Sequence, residues 1–190
     1  NNDKYSFQNI NGAYTGRVLY EGKKDLIAFE STEVTINNIL HLKGNATWQG
    51  DDYQGHVVTE PFIMRDLLKS LDNDALKSYD KVIKNLVFDS SFKGNSNSLD
   101  LNNLNFKFGN STLSGQIKFS SFTPLKIYNN IKIDKIDIAE FYNLNGYHFL
   151  IEGLTQKGSL TVTNKTINGE QHTHIEKITV KGYDARFLVD

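Results

Sequence analysis

Two histidines, His172 and His174, flank a single threonine. In a strand, alternation sends both imidazoles to one face, which is how a β ribbon begins a metal site. Such a site needs further ligands. His41, His56 and His148 lie far off in sequence, and no Asp or Glu follows at helical spacing. The expectation is a surface edge strand and no metal. Two carboxylate groupings, Asp51-Asp52 with Glu60 and Asp134 with Asp137, have the composition of a glycosidase acid and base. Each sits among turn or strand-surface residues beside Lys or Gly, where water gives no reason for a raised pKa. No Ser stands in a Gly-x-Ser-x-Gly setting, and no glycine-rich phosphate loop opens a helix. Cysteine is absent, which removes disulfides, thiol nucleophiles and cysteine-ligated metals. The chemistry on offer points to a protein that is not an enzyme and takes no cofactor.

The elements that would carry these residues are strands. Hydrophobic residues are 38% of the 190, mean hydropathy is −0.44, and 12% are aromatic. That mix suits a thin, extended β structure better than a deep core. The formal net charge of −1, with Lys and Arg scattered among Asp and Glu, leaves no basic stripe for nucleic acid. Three Asn-x-Ser/Thr tripeptides, at Asn45, Asn110 and Asn164, are what chance supplies in so Asn-rich a chain.

Period-two alternation between turn clusters dominates the sequence. It is clearest over residues 99–119. Leu99 and Leu101 alternate, Asn102-Asn103 shifts the phase by one, and Leu104, Phe106 and Phe108 resume on one face. Gly109-Asn110 turns the chain, and Leu113, Gly115, Ile117 and Phe119 return. Val34 with Ile36, Leu40 with Leu42, Leu86 with Phe88, Leu125 with Ile127, Ile131 with Ile133, Leu160 with Val162 and Phe187 with Val189 repeat the theme. Two stretches break it. Residues 62–71 carry Ile63, Leu67 and Leu71 on one helical stripe, with Pro61 in the first turn and Thr59 or Glu60 as the cap. A second helical piece is expected over 72–79 and a short turn over 138–144. A weak repeat, Leu-x-Gly-x-x-x-aromatic, occurs at Leu42-Trp48 and Leu113-Phe119. The fold expected is mainly β: a curved antiparallel sheet of repeated hairpins, groove-like or an open barrel, with one or two short helices.

Residues 86–94 (Leu-Val-Phe-Asp-Ser-Ser-Phe-Lys-Gly) and 98–117, with a Leu-x-Leu-x-x-Leu strand running into Thr112-Leu113-Ser114-Gly115, resemble the characteristic block of the AsmA family. Residues 136–142 and the Gly153-Leu154 to Leu160 strand are similar to segments that follow it. The resemblance implies one AsmA-like β domain over 1–190, a fragment of a longer protein whose membrane anchor lies outside it. It further implies a place on the periplasmic face of the inner membrane of a bacterial cell envelope, phospholipid and other envelope proteins as partners, and a part in outer-membrane assembly.

The residues themselves converge on a similar picture. Moving lipid along a protein requires an apolar trough for acyl chains and an open side that leaves the head group wet. A bent sheet supplies this when alternate residues are large and apolar. Leu104, Phe106, Phe108, Leu113, Ile117 and Phe119 are the candidate trough residues, with an ordinary packed core as the alternative for each. Two other functions stay open at this stage. One is an adaptor that recruits a protein partner by strand addition. The other is a carbohydrate-binding domain that uses Tyr14, Trp48, Tyr53 or Tyr147 as stacking platforms.

Overall fold

A computed structural model of the chain describes residues 10–70, 85–140 and 148–181. The strands are β1 (Gly12–Glu21), β2 (Leu26–Ile36), β3 (Leu40–Gln49), β4 (Asp52–Thr59), β5 (Val87–Asn95), β6 (Ser98–Phe108), β7 (Ser111–Phe122), β8 (Leu125–Asp137), β9 (His148–Val162), β10 (Ile167–His174) and β11 (Lys177–Lys181). Helix α1 (Met64–Ser70) lies between β4 and β5, and a 3-10 turn covers Ile138–Glu140. All strands join one antiparallel sheet in chain order, β1 through β10, with β11 beside β9. The sheet is curved and does not close into a barrel. The expected helical piece at 72–79 and the strand at Phe187 and Val189 lie outside the described residues, as does most of the turn expected over 138–144.

Because both β10 and β11 run antiparallel to β9, they act as one edge strand with a break at Ile175-Glu176. β10 covers Thr155 to Val162 of β9 and β11 covers His148 to Glu152. Opposite the break, Gly153 adopts φ +64, and a β carbon there would press on the Glu176 carboxylate.

The register repeats. Val18, Phe29, Ala46 and Gly55 form one cross-strand row, and Phe92, Leu101, Ile117 and Asn129 form its counterpart on β5 to β8. The next row runs Thr32, Gly44, Val57 in the first set and Leu104, Gly115, Ile131 in the second. Between the two rows each set carries a bulge, with Ser31 at φ 48 and Asn103 at φ 52. β1–β4 and β5–β8 are therefore two copies of one four-strand unit, and β9 with β10 stands where a third would begin. The Leu-x-Gly motif seen in the sequence marks the same place in each unit. A β carbon on Gly44 would press on the His56 carbonyl oxygen, and one on Gly115 on that of Asn130. An extra residue on one strand increases local twist, and a glycine opposite lets the neighbouring backbone close in. These paired devices curve the sheet.

Packing concentrates at one end of the middle strands, where Leu67, Leu86, Leu104 and Phe108 are buried with Thr59, Ser90 and Ser111. The helix begins later than expected. Thr59 is the buried end of β4, and its hydroxyl accepts the Phe88 amide at 2.8 Å instead of capping a helix. Glu60 is drawn to Lys43, at 2.8 Å. The Leu67 amide donates to the Ile63 carbonyl at 3.2 Å, opening the first turn. Asn37, at φ 51 in the β2–β3 turn, donates to the Ser70 carbonyl and hydroxyl at 3.0 and 2.9 Å. That side chain ties the end of α1 to the end of the sheet.

Candidate functional site

Cross-strand partners share a face, so the register sorts the side chains into two faces. One face is apolar across the sheet: Phe29 and Val34 on β2, Leu42 and Ala46 on β3, Val57 on β4, Phe88 and Phe92 on β5, then the residues of β6 to β8. Among the described residues no second sheet covers it. The trough candidates all lie on this face, where Leu104 pairs with Gly115, Phe106 with Leu113, Leu101 with Ile117 and Leu99 with Phe119. They divide into two groups. Leu104 and Phe108, 5% and 8% exposed, belong to the packed end. Phe106, Leu113, Ile117 and Phe119 are only half-buried. Phe106 and Phe108 stack with centroids 5.6 Å apart, and Phe119 and Phe122 at 6.3 Å.

The first unit holds residues the sequence reading passed over. A furrow of about 290 Å³ is walled by Phe29, Val34, Leu42, Ala46, Val57 and Phe92, with Gly44 between them. By the repeat, Val34, Leu42 and Ala46 occupy the places of Phe106, Leu113 and Ile117. The shared Leu-x-Gly motif was the signal that could have found them. Further along the same face, Trp48, Tyr53 and Phe92 form a ladder of rings at 5.5 and 6.3 Å. Trp48 donates to the Gly50 carbonyl at 2.7 Å and Tyr53 to that of Ser98 at 3.1 Å. Tyr14 stands apart, opposite Val34 on edge strand β1. Tyr147 lies outside the described residues.

The other face is polar and carries two larger furrows, about 620 Å³ over β2 to β7 and about 850 Å³ over β6 to β10. Of the groupings considered for chemistry, Glu60, Asp134 and Asp137 are taken up by structural bonds. Asp52 opens β4 and Glu60 follows its last residue, so they do not meet. Glu60 pairs with Lys43, which holds the carboxyl below its ordinary range and the ammonium above its own. Asp134 accepts the Thr112 and Lys135 amides at 2.7 and 2.6 Å. Asp137 is pushed up by partial burial, but His148 at 3.0 Å and the Ala139 amide at 2.9 Å outweigh this and hold its carboxyl below the usual value. His172 and His174 lie on β10 opposite Lys157 and Thr155, an edge-strand position beside a cation. Among the described residues no three His, Asp or Glu gather as metal ligands, and no helix is long and apolar enough to cross a membrane.

Compared with known proteins, the chain matches no family model, no curated protein and no solved structure.

Proposed function

We propose that the chain is a non-catalytic, AsmA-like module of the bacterial envelope whose apolar sheet face shelters the acyl chains of phospholipid. The observation that carries this reading is the apolar face itself. It continues from strand to strand over both four-strand units, and no second layer lies on it among the described residues. Water against so much hydrocarbon is unfavourable by roughly 25 cal/mol per Å². A soluble single layer gains by covering that area, and a contiguous apolar patch marks a binding surface. An acyl chain fits the need, because it is apolar along its length and brings a head group that stays in water at the open side. The half-buried Phe106, Leu113 and Ile117, with the furrow around Gly44 in the other unit, are the surface it would lie on. Placement at the inner membrane, partnership with other envelope proteins and a part in outer-membrane assembly rest on the sequence resemblance alone.

The test is native mass spectrometry and solvent extraction of protein purified without detergent. Phospholipid is expected to accompany the folded chain and to be lost from Ile117→Asp with the β circular dichroism unchanged. Protein that is free of lipid and takes up none from vesicles overturns the reading.

A further inference from the structure

We propose that the opposite, polar face binds a neutral oligosaccharide in the furrow over β6 to β10. The furrow holds about 850 Å³, within the range of roughly 300–1,000 Å³ typical of small-ligand sites. Most of its lining comes from two cross-strand rows of the polar face, with Ile117, Asn129 and Gly158 of the row between them completing the floor. One contains Asp100, Lys118, Tyr128, Ser159 and Glu170, and the other runs through Gln116, Asn130, Lys157 and His172, with Asn102 beside Gln116 at the bulge. Five strands spaced about 4.8 Å apart make the rows roughly 19 Å long, the reach of a short chain of sugar rings.

Three features select the ligand chemistry. Tyr128 is 49% exposed and, among the described residues, is the one Phe, Tyr or Trp lining the furrow. Its ring offers an apolar face with a polar tip. The C–H face of a pyranose is the matching surface, and its hydroxyls then point sideways. Around the ring stand the planar amides of Gln116, Asn130 and Asn102, each able to donate and accept at once. That suits vicinal hydroxyls, which also do both. Finally, the charges cancel. The furrow has two carboxylates, Asp100 and Glu170, and two ammonium groups, Lys118 and Lys157, and Lys118 lies 3.5 Å from Asp100. A polyanion would meet as much repulsion as attraction, whereas an uncharged polyol meets hydrogen-bonding groups of both kinds.

Ile117 borders the furrow as well as the acyl surface, whereas Phe106 and Leu113 belong to the acyl surface alone, so substitutions at Leu113 and at Tyr128 let the two readings stand or fall separately. The experiment is an NMR titration and affinity electrophoresis of the whole chain with linear β-1,4-glucan, α-1,4-glucan and β-1,4-N-acetylglucosamine oligomers, with dextran sulfate as the charged control. At least one neutral oligomer is expected to bind and to shift resonances of Tyr128 and Gln116. Tyr128→Ala is expected to weaken that binding by about tenfold or more, the size of one aromatic stacking contact. Leu113→Asp, on the other face and away from the furrow, is expected to leave it unchanged. Gln116→Ala, on a neighbouring strand, decides the matter should Tyr128→Ala unfold, and is expected to weaken binding too. The proposal is overturned if none of the neutral oligomers binds, if binding survives both furrow substitutions, or if only dextran sulfate is retained and salt releases it.

Discussion

At the scale of single residues, the backbone is more demanding than most side chains. Gly115 combines φ +136 with a neighbouring strand so close that a β carbon would strike the Asn130 carbonyl. Gly50 also has positive φ, at +57, but faces open space. Gly115→Ala is therefore expected to cost roughly 2 kcal/mol or more, and Gly50→Ala about 1 kcal/mol, measured by urea denaturation. Equal costs would mean that β7 and β8 are not pinched together at Gly115. Asp137 supplies a pH signature. Its carboxyl titrates below the ordinary value of 3.8, because the bonds from His148 and Ala139 outweigh its partial burial. A lowered folded-state pKa contributes stability that is present above the unfolded value and disappears as pH falls through the folded one. Asp137→Asn should accordingly flatten the acid limb of stability below about pH 4. Its effect near neutrality comes from lost bonding alone, so the two curves converge as acid is added.

At the scale of elements, the bulges decide which side chains share a face. Asn103 sits at φ 52, a conformation Asn tolerates and a β-branched residue does not. Asn103→Gly is expected to change stability by no more than about 0.5 kcal/mol, while Asn103→Val lowers it by about 1–2 kcal/mol. Deleting Asn103 would put Leu101 and Leu104 in plain alternation, so Leu104, Phe106 and Phe108 keep their face while the bulge and the twist it adds are lost. The variant is expected to keep a cooperative thermal transition with a lowered midpoint. This bulge was legible in the sequence, because Asn102-Asn103 breaks an otherwise clean alternation. Its twin at Ser31 was not, since Glu30-Ser31-Thr32 carries no Gly or Asn to announce a left-handed residue. β9 was legible only in part for a different reason. Gln156 and Gly158 occupy its apolar-face positions and Gly153 interrupts its phase, so its fifteen residues show only fragments of alternation. The proposed acyl surface was half visible. Leu104 to Phe119 stood out by their size, whereas Ala46 and Gly44, small residues in the same rows, mark the matching furrow only once the register is known. The polar furrow left no pattern at all, because it assembles residues from five strands whose only common feature is facing water.

At the scale of the whole molecule, a one-layer meander has no centre in the usual sense. Each strand pairs only with its neighbours in the order, as in a repeat protein, so stability is set locally and cooperativity is short-ranged. The buried side chains Leu86, in the lead-in to β5, and Leu104 and Phe108, on β6, sit mid-sheet, while β1 is exposed along its entire length. Hydrogen exchange should therefore be graded by position: fastest in β1, slowest in β6 to β8, and intermediate at β10, which has one free edge. Leu104→Ala, which opens a cavity in the packed end, is expected to cost about 2–4 kcal/mol. It should raise exchange in β5 to β7 far more than in β9 and β10. On the acyl-surface reading, added phospholipid binds the folded state alone and stabilises it by mass action, so it should slow exchange across β2 to β8 and leave the edges as they were. Uniform protection that includes β1 would show instead that the apolar face is sealed by something other than lipid, and would remove the physical basis for the trough.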